Sequence, residues 1–208
     1  MSLAAAVPLV RFRAQAMQEA VPAGMGGMAA VLGLDDDAVR AVCAAAAQGE
    51  VVEAVNFNAP AQVVIAGHKT AVERAIVLAK AAGARRAMLL PMSVPSHCEL
   101  MRPAADAMAV ALNAAHFLPP QIAVLHNATV DVAGDAAAIR LVLAEQLFKP
   151  VRWIETIEKM VMQGVTHIVE CGPSKVLAGM VKRIAPDVVC LSLADKASFD
   201  AALAELRG

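Results

Sequence analysis

Tyrosine is absent from the 208 residues, tryptophan occurs once and phenylalanine five times. So few aromatic rings give no platform on which nucleotide bases could stack. Charge of one sign is also missing: 18 basic and 19 acidic side chains leave a formal net charge of −1. No polycationic surface therefore steers nucleic acid or an anionic membrane toward the chain, and neither is expected as a partner. Cysteine is scarce and scattered, at positions 43, 98, 171 and 190 with no CxxC pair. A chain of this length does not depend on covalent staples, so a reducing, cytoplasmic setting is expected. Apolar runs reach only about half the length that spans a bilayer. The apolar start around Leu3–Val7 has no basic residues before it, and Arg11 and Arg13 follow it, the wrong order for a secretory signal.

Metal-ligand spacing is lacking too. His68, His97, His116, His126 and His167 include no i,i+4 pair around a glutamate, and Cys98 directly after His97 is not a structural zinc spacing. No metal and no bound cofactor are expected.

What is present is an alternation of periods. Leu3–Glu19 has helical spacing, with Pro8 as an early interruption or a first-turn proline. Val21-Pro22-Ala23-Gly24 ends it, and Gly24–Met28 is expected to be a flexible junction. Met28–Gly33 then predicts a strand, and Asp35-Asp36-Asp37 caps a helix to about Ala47. Val51–Phe57 and Gln62–Ala66 are β-branched strands joined by a turn at Asn58-Ala59-Pro60. A helix over Thr70–Ala82, a stop at Gly83 and a strand at Arg86–Leu90 complete β-α-β-β-α-β, the split-βαβ order of a ferredoxin-like subdomain at 25–90.

Pro91–Cys98 cannot be a regular element, with prolines four residues apart. Beyond it the spacing predicts a helix from Glu99 to Ala115, a strand at Ile122–His126, and helices at 136–147 and Val151–Gln163. Then come strands at Thr166–Cys171 and Val188–Leu193, with a helix between them ending at Ile184 and a last helix at Ser198–Leu206. That alternation predicts a mostly parallel, covered sheet. An α/β sheet that opens on a helix and an inserted subdomain implies that β-structure upstream is missing.

His97, in a proline-bounded loop ahead of a helix, is the leading acid–base candidate, because imidazole exchanges protons near neutrality. The ordinary alternative is an exposed loop histidine. Ser93 and Ser96 are hydroxyls close in sequence, but adjacent side chains such as Ser96 and His97 rarely meet as nucleophile and base. Cys98 is the one cysteine expected near a site. Gly172-Pro173-Ser174-Lys175 follows a strand and opens a helix, without the glycine spacing of a phosphate cradle. Arg85-Arg86, Lys175 and Lys182-Arg183 give local positive charge suited to an acidic protein partner.

Five segments occur in a telling order: Met17–Pro22, Val55–Gly67 (VNFNAPAQVVIAG), Val94–Cys98 (VPSHC), Gln146–Trp153 (QLFKPVRW) and Glu170–Leu177 (ECGPSKVL). Together they resemble the bacterial malonyl-CoA:acyl carrier protein transacylases of fatty acid biosynthesis, relatives of the acyltransferase domains of polyketide synthases. The resemblance covers essentially the whole chain. It implies an α/β fold, the C-terminal part of an α/β-hydrolase-like large subdomain (1–24 and 91–208) with an inserted ferredoxin-like small subdomain (25–90). It also implies malonyl transfer from malonyl-CoA to the phosphopantetheine thiol of acyl carrier protein through a serine acyl-enzyme. His97 then matches the activating histidine, Gln146 the residue whose backbone carbonyl orients it, and Arg13 the arginine that grips the malonyl carboxylate. Ser96 and Asn58 match positions lining the cleft or supporting the loop.

The family's Gly-His-Ser-Leu-Gly nucleophile elbow and its Gly-Gln-Gly-Ser-Gln segment have no counterpart here, and no GxSxG occurs anywhere. The expectation is thus an N-terminally truncated form without a nucleophile, inactive alone. A monomer is expected for the full-length form and self-association for the shortened one. The alternative is a non-catalytic carrier-protein or CoA-binding module.

Overall fold

The structure, a computed structural model, describes residues 1–92 and 94–207, and the chain forms two compact units, Met1–Arg152 and Trp153–Gly208. In the first unit, helix α1 (Leu3–Ala20) starts at Ser2, whose hydroxyl accepts the N–H of Ala5 at 3.3 Å. The helix continues past Pro8, whose missing N–H leaves the Ala4 carbonyl without its helical partner. It buries Ala16 and Met17, while Leu3, Val7 and Val10 stay exposed at 80%, 58% and 64%.

Strand β1 (Gly26–Leu32), α2 (Asp36–Ala47), β2 (Val52–Ala59), β3 (Gln62–His68), α3 (Lys69–Ala81) and β4 (Arg86–Leu89) follow. The sheet has the order β2-β3-β1-β4, antiparallel throughout, which is the ferredoxin-like order. Asp35 accepts the Ala38 N–H at 2.7 Å to start α2. Gly83, at φ +95°, lets the chain leave α3 where a residue with a Cβ would be strained. Val39, Val63, Ile65, Val72 and Ala75 are wholly buried, and α2 and α3 pack on each other and on this sheet.

Two details differ from the expectation. Gly26 and Gly27 belong to β1 rather than to a flexible junction, paired with His68 and Gly67 of β3, and Pro95 packs so close to Gly26 that a larger residue would not fit there. Asn58 and Ala59 are strand residues, and the hairpin turns at Pro60–Ala61, with Ala61 at φ +57°.

Beyond the loop at 90–98, a single 3₁₀ turn (Glu99–Met101) leads into α4 (Arg102–Ala114), with Pro103 in its first turn. Met101, Ala104, Ala105, Met108 and Leu112 form its buried stripe and meet Ala16 and Met17 of α1. Helix α5 (Ala136–Glu145), capped by Asp135, packs on α4, and Leu147 just after it is wholly buried. Burying Met101, Leu112 and Leu147 contributes about 1.5–3 kcal/mol each. The expected strand at 122–126 is reduced to β5 (Leu125–His126), paired antiparallel with β6 (Asp131–Val132), and Ile122 is 81% exposed. The segment after α5 meets the free edge of β2: the Val151 N–H donates to Val55 O at 2.8 Å, and the Phe57 N–H to Val151 O at 3.0 Å.

The second unit contains α6 (Trp153–Met162), β7 (His167–Glu170), α7 (Val176–Ile184), β8 (Val189–Ser192) and α8 (Lys196–Glu205), around a core of Ile157, Val181 and Val188. Strands β7 and β8 are parallel and form the one parallel strand pair among the described residues, so the expected mostly parallel sheet over 90–208 is not observed. The Gly172–Lys175 loop is organised by Glu170, whose carboxylate accepts the Ala178 N–H at 2.8 Å and the Ser174 hydroxyl at 3.3 Å. These bonds to backbone N–H groups at the start of α7 hold the Glu170 carboxyl below its ordinary range. No helix among the described residues is long and apolar enough to cross a membrane.

Candidate active site

His97 occupies a left-handed conformation, φ +68°, in the turn between β4 and α4. Its own N–H donates to Leu147 O at 2.9 Å, and its Nδ1 lies 2.7 Å from Gln146 O. A carbonyl oxygen only accepts, so Nδ1 carries the proton and Nε2 holds the free lone pair. Residues 146 and 147 can supply these oxygens because α5 ends at Glu145: the turn that follows uses the carbonyls of Val142, Ala144 and Glu145, and no further helical turn claims those of 146 and 147.

Burial lowers the proton affinity of His97 most, and the nearby charge of Arg13 lowers it further, while the carbonyl of Gln146 and the backbone of Lys149 favour the protonated ring. A ring whose proton affinity is lowered, with Nδ1–H oriented and the Nε2 lone pair unprotonated, is suited to take a proton.

Gln146 connects two cavities. One, of about 230 Å³, is lined by His97, His126, Leu143, Gln146 and Lys149. The other, of about 280 Å³, is apolar and lined by Leu9, Met108, Leu112, Phe117 and Leu143, with Arg13 and Gln146 as its polar members. Arg13 is half-buried on α1, and burial lowers its proton affinity. No acidic side chain among the described residues forms an ion pair with it. A guanidinium in an apolar wall without a counter-ion is a ready receptor for a carboxylate.

The structure thus brings together His97, Gln146 and Arg13. Neither Ser96, half-buried in the turn, nor Asn58, half-buried on β2, lines either cavity. Ser93 lies outside the described residues. Cys98, expected near the site, is wholly buried beside Met28, Val55 and Ala66 and donates its thiol to Pro95 O at 3.1 Å. Burial pushes that thiol up to about 12, so it is a packing residue. All four cysteines are free thiols. His126, read in the sequence only as one of five scattered histidines at the end of a short strand, is buried against the His97 cavity with its proton affinity lowered by burial. Lys149, also missed as a site residue, pairs with Glu145 at 2.7 Å, and their i,i+4 spacing is the signal that could have found the pair. Among the described residues no group of three His, Cys, Asp or Glu side chains is placed to hold a metal ion.

Known proteins share this arrangement of elements. The chain is 52% identical over 204 residues to the malonyl CoA-acyl carrier protein transacylase of Salmonella typhimurium, an alignment covering 98% of the chain and 66% of that protein. Among solved structures, the acyl-carrier-protein S-malonyltransferase of Burkholderia pseudomallei superposes with a TM-score of 0.94 at 56% identity, over 96% of this chain and 65% of that one. A malonyl-transacylase solved in complex with a type II polyketide synthase acyl-carrier protein gives 0.95 at 49% identity, again over 96% and 65%. No family model matches the chain. At these identities the mixed α/β architecture is that of acyltransferases. The chain belongs to the malonyl-CoA:acyl carrier protein transacylase family, and it spans just under two thirds of the length of these relatives.

Proposed function

We propose that this chain supplies the base and the carboxylate receptor for malonyl transfer from CoA to the phosphopantetheine thiol of acyl carrier protein. The observation that carries the reading is His97, fixed through Nδ1–H by the Gln146 carbonyl, near an Arg13 that has no acidic partner among the described residues.

In this reaction a serine hydroxyl attacks the malonyl-CoA thioester carbonyl while Nε2 of His97 takes its proton. Collapse of the tetrahedral adduct breaks the C–S bond, and the same nitrogen protonates the departing CoA sulfur. The carrier thiol then attacks the acyl-serine, giving its proton to Nε2, which returns it to the serine oxygen. Arg13 grips the free malonyl carboxylate through both guanidinium branches and so selects dicarboxylic acyl groups. No metal or bound cofactor enters these steps.

The serine is not among these 208 residues in the family's GxSxG setting, so it would come from the further third that the relatives possess. The same absence favours a second reading, a non-catalytic module that binds carrier protein or CoA. We also propose the division into 25–90 as the small subdomain and 1–24 with 91–208 as part of the large one. The free thiols fit a cytoplasmic location.

The test uses radiolabelled malonyl-CoA and phosphopantetheinylated carrier. The chain alone is expected to transfer nothing. Fused behind the remaining third of the Salmonella relative, it is expected to transfer malonate and to lose about 10²–10⁴-fold with His97→Ala. Transfer by the chain alone through Ser93 or Ser96, or a His97→Ala fusion of unchanged rate, would overturn the assignment. Carrier binding by an inactive fusion would select the module.

A further inference from the structure

We propose that Glu53 is a positioning residue for His97, acting through the main-chain N–H of Glu99. The inference rests on the reading of His97 as the base.

The left-handed conformation of His97 is uncommon for a residue with a Cβ and persists only where neighbours on both sides hold it. On one side are the carbonyls of Gln146 and Leu147. On the other, the chain is fastened immediately after His97. The thiol of Cys98 bonds Pro95 O, and the N–H of Glu99 donates to Glu53 Oε2 at 3.2 Å, 46 positions away on β2.

Strand β2 is also the element that holds Val151, through Val55 O and the Phe57 N–H. One strand therefore grips both partners of the critical hydrogen bond, the His97 turn through Glu53 and the segment bearing the Gln146 carbonyl through Val151. A further link joins the two. Glu99 takes Arg102 in two bonds of 2.6 and 2.9 Å, and the Arg102 guanidinium lies 3.7 Å over the ring of Phe148. Glu53, His97, Glu99, Arg102, Phe148 and Lys149 thus border a common groove.

Glu53 is poorly placed to serve stability alone. No Lys or Arg among the described residues forms an ion pair with it, and burial together with the charge of Glu99 raises its pKa despite the nearby Arg102. Its side chain accepts the N–H of the residue two positions after the base.

The test reads the His97 ring directly, by ¹⁵N NMR titration of the 208-residue chain. A failure of the transacylase reading would therefore appear in the malonyl assay and not here. Other groups facing His97 stay in place: Arg13 of α1, His126 of β5, Lys149 after α5, and Glu99 and Arg102 of its own segment.

Glu53→Gln keeps an acceptor oxygen and is expected to retain both the Nδ1–H tautomer and the midpoint. Glu53→Ala removes the tether; the ring then gains solvent, and its midpoint should rise toward the ordinary value near 6.5, with mixed tautomers. Glu53→Asp keeps the charge but withdraws the oxygen by about 1.5 Å, and it should move the ring as Ala does even if Glu53→Ala does not fold. A ring unmoved by Glu53→Ala or Glu53→Asp, or moved equally by Gln and Ala, overturns the proposal.

Discussion

Replacing Gly26 by alanine should disturb His97, although the two residues are 71 positions apart in sequence. A Cβ at Gly26 would lie 2.5 Å from Pro95 Cδ and 2.7 Å from its Cγ, where ordinary contact begins at 3.4 Å. About 0.9 Å has to be found, the difference between 3.4 and 2.5 Å. Strand β1 cannot supply it easily, since Gly26 is paired to His68 of β3 and the strand is held on its other side by β4 from Ala29 onward. The turn therefore gives way, and Pro95, buried and rigid, stands two residues before His97 and accepts the Cys98 thiol. Overpacking of this kind costs about 1–3 kcal/mol. At about 2–4 °C per kcal/mol for a chain of this size, the midpoint of thermal unfolding should fall by about 2–12 °C. Gly134→Ala is the control, because its Cβ meets nothing within 4 Å and it should stay within about 0.5 kcal/mol of the parent. Scanning calorimetry and the His97 ring resonances read the two consequences separately. A Gly26→Ala chain with the parent's midpoint and ring shifts would refute the argument that the sheet presses on the turn.

Arg13→Ala, in a fusion carrying the nucleophile, should cost about 2–5 kcal/mol in kcat/KM for malonyl-CoA and raise relative use of acetyl-CoA; an unchanged malonyl rate would remove Arg13 from the site. His97 binds its proton less readily folded than unfolded, so its contribution to stability is complete above the unfolded value of 6.5 and declines as pH falls from there toward the folded value. His126 shares that sign and Glu53 opposes it, so the measurement is the difference in urea midpoint between parent and His97→Gln, which should shrink as pH drops from 7.5 toward 5; a difference that grows would show the sign is wrong. Hydrogen exchange should show stronger protection over 25–90 than over 91–208, and uniform protection would count against the proposed subdivision.

Helices were the most legible part of the fold, because an apolar stripe and a cap lie within one segment: Asp35 ahead of α2, and Ala104, Met108 and Leu112 along α4. Features set by a distant neighbour were not legible. Gly26 and Gly27 read as a loose junction because their β3 partners and Pro95, which requires a small residue at Gly26, lie far away in sequence. The parallel sheet expected beyond residue 90 shrank to β7 with β8, because alternation of strand and helix does not say which strands pair. At the site, His97 was legible from its proline-bounded loop and Gln146 only through motif resemblance, and the structure adds the contact between them. Glu53 gave no sequence signal at all, since a carboxylate on a strand shows its purpose only when the N–H it meets is known.

The histidine of this site leans on a peptide oxygen rather than on a side chain, and that choice has a genetic consequence. Every amino acid brings the same carbonyl, so substitution at position 146 leaves the orienting atom in the chain whatever residue replaces glutamine. An alanine scan would pass over it, reporting only what the amide side chain does. The atom also never titrates, so acid cannot release the ring by protonating its partner, as it could with an aspartate. Only changes that move the backbone can dislodge it, which places the vulnerable positions elsewhere, at the end of α5, at Val151 and along the edge of β2.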